Sequence, residues 1–408
     1  MIKLYTFKNG LKLVINRIKK NKTYADIYIR TGNLTKKVKI NNKIINIKSG
    51  TAHFLEHYLL EQSIYGNIVD NFSKDYIYSN GSTFYNETSF SMSTVHDFKE
   101  NFIKLLDIIN KPIFEQEKIE LVKNPIIQEI KKVKDRNGYI FDKETKKCLS
   151  NNSYDDISGS INDVESMNVN DLKMFHKLFY IPSNQIIVIT GNIDKDLINL
   201  IEEKYNEYNY EDIVKEEIFK KETDEVVTKL KKIKDGTIKD NMFKILYKIN
   251  LKDFNNEMRN RLDYYISYLL SNFDDKSYVF DYLFNNGLVK YSIIRSAYFG
   301  LIKDYLVIYL GAYTDNIEEV VKILKDNLNT KLFSEDSFNK WKSTTIIDKM
   351  LTYENEKNIT SDFVDNIFSY DLYKNDTIDF IKSLNYNECI EYINKLDFSN
   401  NSIIINEI

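Results

Sequence analysis

Residues 50–57 have the sequence GTAHFLEH and open a run whose apolar residues recur at helical spacing as far as Leu60. Two of the chain's four histidines, His53 and His57, stand four residues apart in this run, with Glu56 beside them. A helix would place both imidazoles on one face. Neutral imidazole is a favoured zinc ligand, and a nearby carboxylate can take the proton of a water that attacks a carbonyl. The run therefore predicts a catalytic zinc site in preference to two packed or solvated histidines.

Strands and helices alternate around this predicted helix. Asn9-Gly10 is a strong hairpin signal, and Ser49 or Thr51 would cap the histidine helix. Pro125 is expected to begin a new helix with Asn124 as its cap. Strands are predicted over residues 3–7, 11–15, 24–30, 83–94 and 185–190, and helices over residues 52–62, from 97, from 115 and over 171–179.

The same order of elements returns after a charge-rich, weakly periodic segment. At a shift of 218 residues, Asp97 falls on Asp315 and the FIKLL run at 102–106 falls on VVKIL at 320–324. A duplicated α+β unit accounts for both halves, although strand-then-helix pairs also resemble one another by chance. We predict two similar α+β domains, each a mainly antiparallel sheet covered by helices: residues 1–210, a linker over 211–240, and residues 241–408.

Composition excludes several classes of protein. The 408 residues contain 57 Lys and Arg against 60 Asp and Glu, a net charge of −3, which argues against a nucleic-acid partner. The two cysteines, Cys148 and Cys389, form neither a C-x-x-C pair nor a disulfide framework. No leader-like segment or long apolar run is present, so we expect a cytoplasmic protein without a membrane partner.

The GTAHFLEH run resembles the signature of the pitrilysin, insulinase and mitochondrial processing peptidase family, which carries the inverted zinc motif H-x-x-E-H. Other segments resemble that family in the same order. They are Asn9-Gly-Leu11, Asn80-Gly81 before an alternating strand, and Tyr180-Ile-Pro-Ser-Asn184 before an apolar strand. The length is that of the half-length bacterial members, which implies half of a clamshell.

The resemblance implies that His53 and His57 are zinc ligands and that Glu56 is the general base. The family's third ligand is a glutamate some seventy residues downstream, and Glu129 in the IIQEI segment at 126–130 matches it. A solvated helix carboxylate is the ordinary alternative for Glu129. The other two histidines, His96 and His176, are expected to be packing or capping residues.

Two departures from the family accompany this match. Many members carry a second glutamate two turns before the ligand, where this chain has Val122. Many also carry a second-half Arg and Tyr that bind substrate, and no Arg occupies the expected place here. Tyr291 is the candidate for the tyrosine, with Arg295 and Tyr298 as alternatives, although ordinary strand residues are the more common outcome for all three.

The family resemblance implies a zinc-dependent endopeptidase that hydrolyses short or unfolded peptides in an enclosed chamber, and processing of one dedicated peptide precursor fits this function. The peptide would add as a strand near Asn80 and Gly81. Half-length members pair, so we expect a homodimer or a heterodimer with a related half-length subunit. The alternative function is a non-catalytic or partner-dependent subunit that serves as a peptide-binding or structural module.

Overall fold

The computed structural model describes residues 2–151, 155–211, 213–299, 304–370 and 377–408. The chain divides into two compact units, and both are discontinuous in sequence. Unit 1 consists of Met1–Lys134, Asp155–Lys220 and Tyr353–Val364, and unit 2 of Asp135–Tyr154, Lys221–Thr352 and Asp365–Ile408. The segment 211–240, predicted as a linker, contains two short strands.

The strands range from fully buried ones inside the main sheets to partly exposed ones at the edges, and side chains alternate between the two faces of each sheet. In chain order they are β1 (Ile2–Thr6), β2 (Lys12–Arg17), β3 (Thr23–Ile29), β4 (Lys37–Ile40), β5 (Lys43–Asn46), β6 (Tyr78–Thr83), β7 (Thr88–Thr94), β8 (Gln185–Gly191), β9 (Glu216–Glu217), β10 (Leu230–Ile233), β11 (Met242–Asn250), β12 (Ile294–Phe299), β13 (Tyr305–Tyr313) and β14 (Asn401–Asn406).

The α-helices described are α1 (Thr51–Glu61), α2 (Ile68–Lys74), α3 (Phe98–Asn110), α4 (Gln116–Lys134), α5 (Tyr139–Leu149), α6 (Ile161–Glu165), α7 (Val169–Phe179), α8 (Leu197–Glu207), α9 (Asn256–Leu270), α10 (Tyr278–Asn285), α11 (Ile317–Asn327), α12 (Glu335–Thr352), α13 (Glu356–Tyr370), α14 (Thr377–Lys382) and α15 (Tyr386–Asn394).

The main sheets of the two units share one arrangement of five strands, to which unit 1 adds β1 as a sixth strand at the edge. The unit 1 sheet has the order β1-β2-β8-β3-β7-β6, and the unit 2 sheet has the order β10-β14-β11-β13-β12. In both, one parallel pair, β2–β8 or β10–β14, is followed by antiparallel pairs. Strands β4, β5 and β9 form a separate small sheet in unit 1. The predicted fold class, two similar α+β domains with mainly antiparallel sheets, is confirmed.

One face of each main sheet carries the larger hydrophobic core, and the other face of the unit 2 sheet carries a smaller cluster with α5. In unit 1, Ala25, Ile27 and Ile29 of β3 pack with Phe54 and Leu55 of α1 in a single buried cluster. In unit 2, β11 and α9 contribute to an equivalent cluster. Each unit therefore has a hydrophobic core of its own, in which burial of each large apolar side chain contributes roughly 1.5–3 kcal/mol.

Two helix boundaries differ from the prediction. The N-cap of α1 is Gly50, with φ 79°, and not Ser49 or Thr51. A Cβ at Gly50 would lie 2.3 Å from the Ser158 carbonyl oxygen, so both the backbone angle and the close approach require glycine. Thr51 is the first helical residue, and its hydroxyl donates to the Lys48 carbonyl.

Pro125 does not begin a helix, because α4 continues through it. Ile119 and Val122 before the proline and Ile126 and Ile130 after it are buried in the same core. Their burial outweighs the loss of the backbone hydrogen bond that proline cannot make.

Among the described residues, no helix has the length and apolar content needed to cross a bilayer.

Candidate metal centre

Helix α1 supplies three of the predicted site residues. Almost every residue of α1 is buried, and its Phe54, Leu55 and Leu59 lie in the core. This packing fixes the rotation of the helix and with it the direction of the polar side chains between them. His53 and Glu56 are only 7% and 6% exposed. The rings of His53 and His57 lie edge to face with centroids 4.6 Å apart, as their four-residue spacing predicts.

Helix α4 brings the fourth residue, Glu129, to the two histidines. The buried stripe of α4 turns the helix so that Glu129 faces α1. Glu129 Oε2 lies 3.4 Å from His53 Nε2 and 3.5 Å from His57 Nε2. One ligand atom from each of the three residues lies within 4.8 Å of the other two, which is close enough for them to share one ion.

The charges within the cluster are set by burial and by these contacts. Burial lowers the pKa of His53 to about 4, so this imidazole is neutral at neutral pH. Burial also opposes charge on His57, but hydrogen bonds to Glu129 and Glu61 outweigh it and raise the pKa of His57 to about 10. The hydrogen bond with His57 lowers the pKa of Glu129. Without a cation, His57 therefore carries the positive charge that balances Glu129.

Glu56 lies against strand β6. Its Oε2 accepts a hydrogen bond of 2.9 Å from the Thr83 hydroxyl. A Cβ at Gly81 would lie 2.2 Å from Oε1, so the strand approaches the carboxylate closely there. Burial raises the pKa of Glu56 to about 7, against the lowering effects of His57 and Thr83. A carboxyl with this pKa can both accept and return a proton near neutral pH.

Strand β6 is an edge strand of the main sheet in unit 1. It pairs with β7 on one side and, within the part of the chain that the structure describes, with no strand on the other. Gly81 and Thr83 point toward Glu56, and Asn80 points to the opposite face because side chains alternate along a strand. The Asn80 amide donates to the Ser82 hydroxyl at 3.4 Å.

Sequence reasoning missed two residues of the centre. Glu61 Oε1 lies 2.7 Å from His57 Nδ1, and its four-residue spacing from His57 on one helix was a signal that could have identified it. Thr83 gave no comparable signal, because its contact with Glu56 depends on how β6 packs against α1.

The remaining singled-out residues of unit 1 lie elsewhere. His176 Nε2 lies 2.8 Å from the Ile109 carbonyl oxygen, and burial lowers the pKa of His176 to about 4. His96 is exposed and lies beside Asp75 and Asp97. Neither lies in the cluster of His53, His57 and Glu129.

The candidate substrate-binding residues predicted in the second half of the chain lie in unit 2, in one loop and one strand. Tyr291 is 55% exposed and packs edge to face on Tyr313. Arg295 and Tyr298 are in β12, where Arg295 forms an ion pair with Asp274 at 3.4 Å. A role for Tyr291 in substrate binding stays a prediction. Both cysteines are buried and free, and Trp341 packs on Tyr268 and Phe338.

Comparison with known proteins identifies relatives of this chain. Residues 166–344 match the family model described as the peptidase M16 inactive domain. That segment begins after His53, Glu56, His57 and Glu129, so the match does not include the candidate centre. The uncharacterized zinc protease YmfH of Bacillus subtilis is 29% identical over 235 residues, which are 55% of this chain and 54% of YmfH. The chain spans about half the length of the curated relatives it matches.

Solved structures agree with these relatives at the level of the fold. An M16-like peptidase from Alicyclobacillus acidocaldarius superposes with a TM-score of 0.87 at 17% identity, covering 100% of this chain and 98% of that one. Pitrilysin superposes with a TM-score of 0.70 at 17% identity, and this chain corresponds to 45% of pitrilysin. The family model over residues 166–344, the Bacillus relatives and the shared fold agree with the resemblance seen in the sequence, and the chain has the fold of the M16-like peptidases.

Proposed function

We propose that this chain is a zinc-dependent endopeptidase that hydrolyses short or unfolded peptides, in the manner that its family resemblance implies. The observation that carries the proposal is the cluster on α1 and α4. Three side chains hold ligand atoms within 4.8 Å of one another, and a buried carboxylate, Glu56, stands one residue from the ligand His57.

The donor set suits zinc. Two imidazole nitrogens and one carboxylate oxygen form the His₂Glu set of catalytic zinc sites, which leaves a fourth position for water or substrate. His53, His57 and Glu129 would hold the ion, and the neutral state of His53 is the state that a metal ligand needs. When bound, zinc lowers the pKa of water and polarises a carbonyl.

Glu56 is the proposed general base. Its carboxylate would accept a proton from the attacking water and return that proton to the leaving amine. Thr83 holds one oxygen of this carboxylate and leaves Oε1 for the transfer. The low exposure of Glu56 keeps bulk water from competing for the proton.

The edge of β6 is the proposed peptide-binding site. An extended peptide could add there as a further strand, with Asn80 and Gly81 alongside it and its backbone next to Glu56. Gly81 has no side chain to separate that backbone from the carboxylate. Recognition through main-chain hydrogen bonds favours unfolded segments over folded proteins, because only an extended segment can pair with the edge.

The decisive experiment compares the wild-type chain with Glu56→Gln, both loaded with zinc, on a mixture of unstructured peptides analysed by mass spectrometry. We expect cleavage by the wild type, a loss of about a hundred- to ten-thousandfold in Glu56→Gln, and loss on chelation. The two proteins should bind zinc alike. Equal cleavage by both proteins would refute the role of Glu56.

A second function, as a non-catalytic or partner-dependent subunit, is favoured by one observation. The family model that matches residues 166–344 is named for an inactive domain. In this case zinc-loaded wild-type protein would bind peptides without cleaving them until a related half-length subunit is added. Sedimentation analysis with activity measured on each species separates the two functions. A fully active monomer would exclude both partner dependence and the proposed dimer.

A further inference from the structure

Glu61 occupies an unfavourable position for a carboxylate. It is the last residue of α1, and the last turn of that helix contains no basic residue. The helix dipole places partial negative charge at this end, so an acidic side chain here is opposed by the helix itself. An acidic residue retained at the C-terminal end of a helix is expected to make a favourable contact that compensates for this unfavourable interaction.

That contact is with a proposed zinc ligand. Glu61 Oε1 lies 2.7 Å from His57 Nδ1, and the two side chains are 26% and 21% exposed. An ionised carboxylate only accepts hydrogen bonds, so His57 must carry its proton on Nδ1 when it is neutral. The lone pair is then on Nε2, the nitrogen that lies 3.5 Å from Glu129 Oε2. Glu61 thus selects the tautomer in which Nε2 can bind a metal.

The two histidines are held differently. His53 is 7% exposed, and its Nδ1 is buried without a hydrogen-bond partner among the described residues, so this nitrogen has no counterpart of the Glu61 carboxylate. His57 is the more exposed of the two rings, and its Nδ1 is held by the Glu61 carboxylate. Val122, where many relatives carry a second glutamate, is fully buried among apolar residues and offers no acceptor.

We propose that Glu61 is the positioning residue of this centre: it fixes the tautomer and orientation of His57 and thereby strengthens zinc binding. The inference rests on the zinc centre of the proposed function. Carboxylates that hold a metal-binding histidine in this way typically change metal affinity by about 10- to 100-fold when they are removed.

The test measures zinc dissociation constants by competition with a chromogenic chelator. Glu61→Leu removes the acceptor, Glu61→Gln keeps a neutral one, and Glu203→Leu on the exposed surface of α8 is the matched control. We expect affinity to fall about 10- to 100-fold in Glu61→Leu and less in Glu61→Gln, with wild-type affinity in the control. Wild-type affinity in Glu61→Leu would overturn the inference.

A second measurement needs no variant. Nitrogen NMR of the four histidines in zinc-loaded wild-type protein should show His57 bound through Nε2 and protonated on Nδ1. Binding through Nδ1 would overturn the inference. Failure of the wild type to bind zinc would overturn both this inference and the proposed function, whereas zinc binding without peptide cleavage would overturn the peptidase alone.

Discussion

At the scale of single residues, the contacts of Glu56 show what orients its carboxylate, which its position in the motif does not. The carboxylate is buried and has one hydroxyl donor, from Thr83. A hydrogen bond to a charged group contributes about 1.5–3 kcal/mol. The orientation of the proposed base therefore depends on a strand residue outside the motif.

Replacement of Thr83 tests that dependence. Thr83→Val keeps the shape of the side chain but removes the donor, so kcat should fall roughly tenfold or more while KM changes little. Thr83→Ser restores the hydroxyl and should recover most of the activity. Steady-state kinetics on one peptide substrate provide the measurement. Equal kcat in the valine and serine variants would contradict the expected role.

A second buried carboxylate, Asp26 on β3, lies outside the centre. It accepts hydrogen bonds from the Tyr24 hydroxyl at 3.2 Å and the Tyr28 hydroxyl at 3.0 Å. Burial raises the pKa of Asp26 from 3.8 to about 7, although both hydrogen bonds lower it. Because the unfolded chain releases this proton first, stability is lost as the pH rises from about 4 to 7.

Asp26→Asn should remove this loss. The variant should match the wild type near pH 4 and gain about 2–4 kcal/mol over it in free energy of unfolding by pH 8. Urea unfolding at a series of pH values measures the difference. A constant difference across that range would show that Asp26 does not titrate abnormally.

At the scale of elements, α4 shows how tertiary packing overrides a local signal. Pro125 interrupts the helical hydrogen bonds in the interior of α4. Pro125→Ala should raise the free energy of unfolding by about 1–3 kcal/mol, because alanine restores a donor and removes a steric conflict. Thermal unfolding of the zinc-free protein measures this change. A decrease in stability would mean that α4 needs the proline to fit its site.

The elements also show what could be predicted from the sequence. His53, Glu56 and His57 could be placed together because the period of one helix determines which residues share a face. The proximity of Glu129 to the histidines could be predicted only from the family resemblance, because α1 and α4 are far apart in sequence. The Thr83 contact and the continuation of α4 through Pro125 depend on packing between distant elements, which local patterns do not contain. The tandem α+β fold was predictable because its pattern occurs twice.

At the scale of the whole molecule, the two units have separate cores. Strand β14 lies between β10 and β11 in the unit 2 sheet, whereas the segments of unit 1 all end by Val364. Deletion of residues 396–408 should abolish amide protection in unit 2 and leave protection and zinc affinity in unit 1. Hydrogen exchange with mass spectrometry makes this comparison. Loss of protection in both units would show that they fold as one.

The discontinuous units also constrain how such a gene can recombine. Residues 353–364 belong to unit 1 although unit 2 supplies the sequence on both sides of them, and residues 135–154 belong to unit 2 within the first half. A single crossover between two related genes in the region 221–352 would therefore give unit 1 a final segment from the other parent. We expect a functional chimaera to need a second crossover, which restores the short segment from the same parent as the rest of its unit.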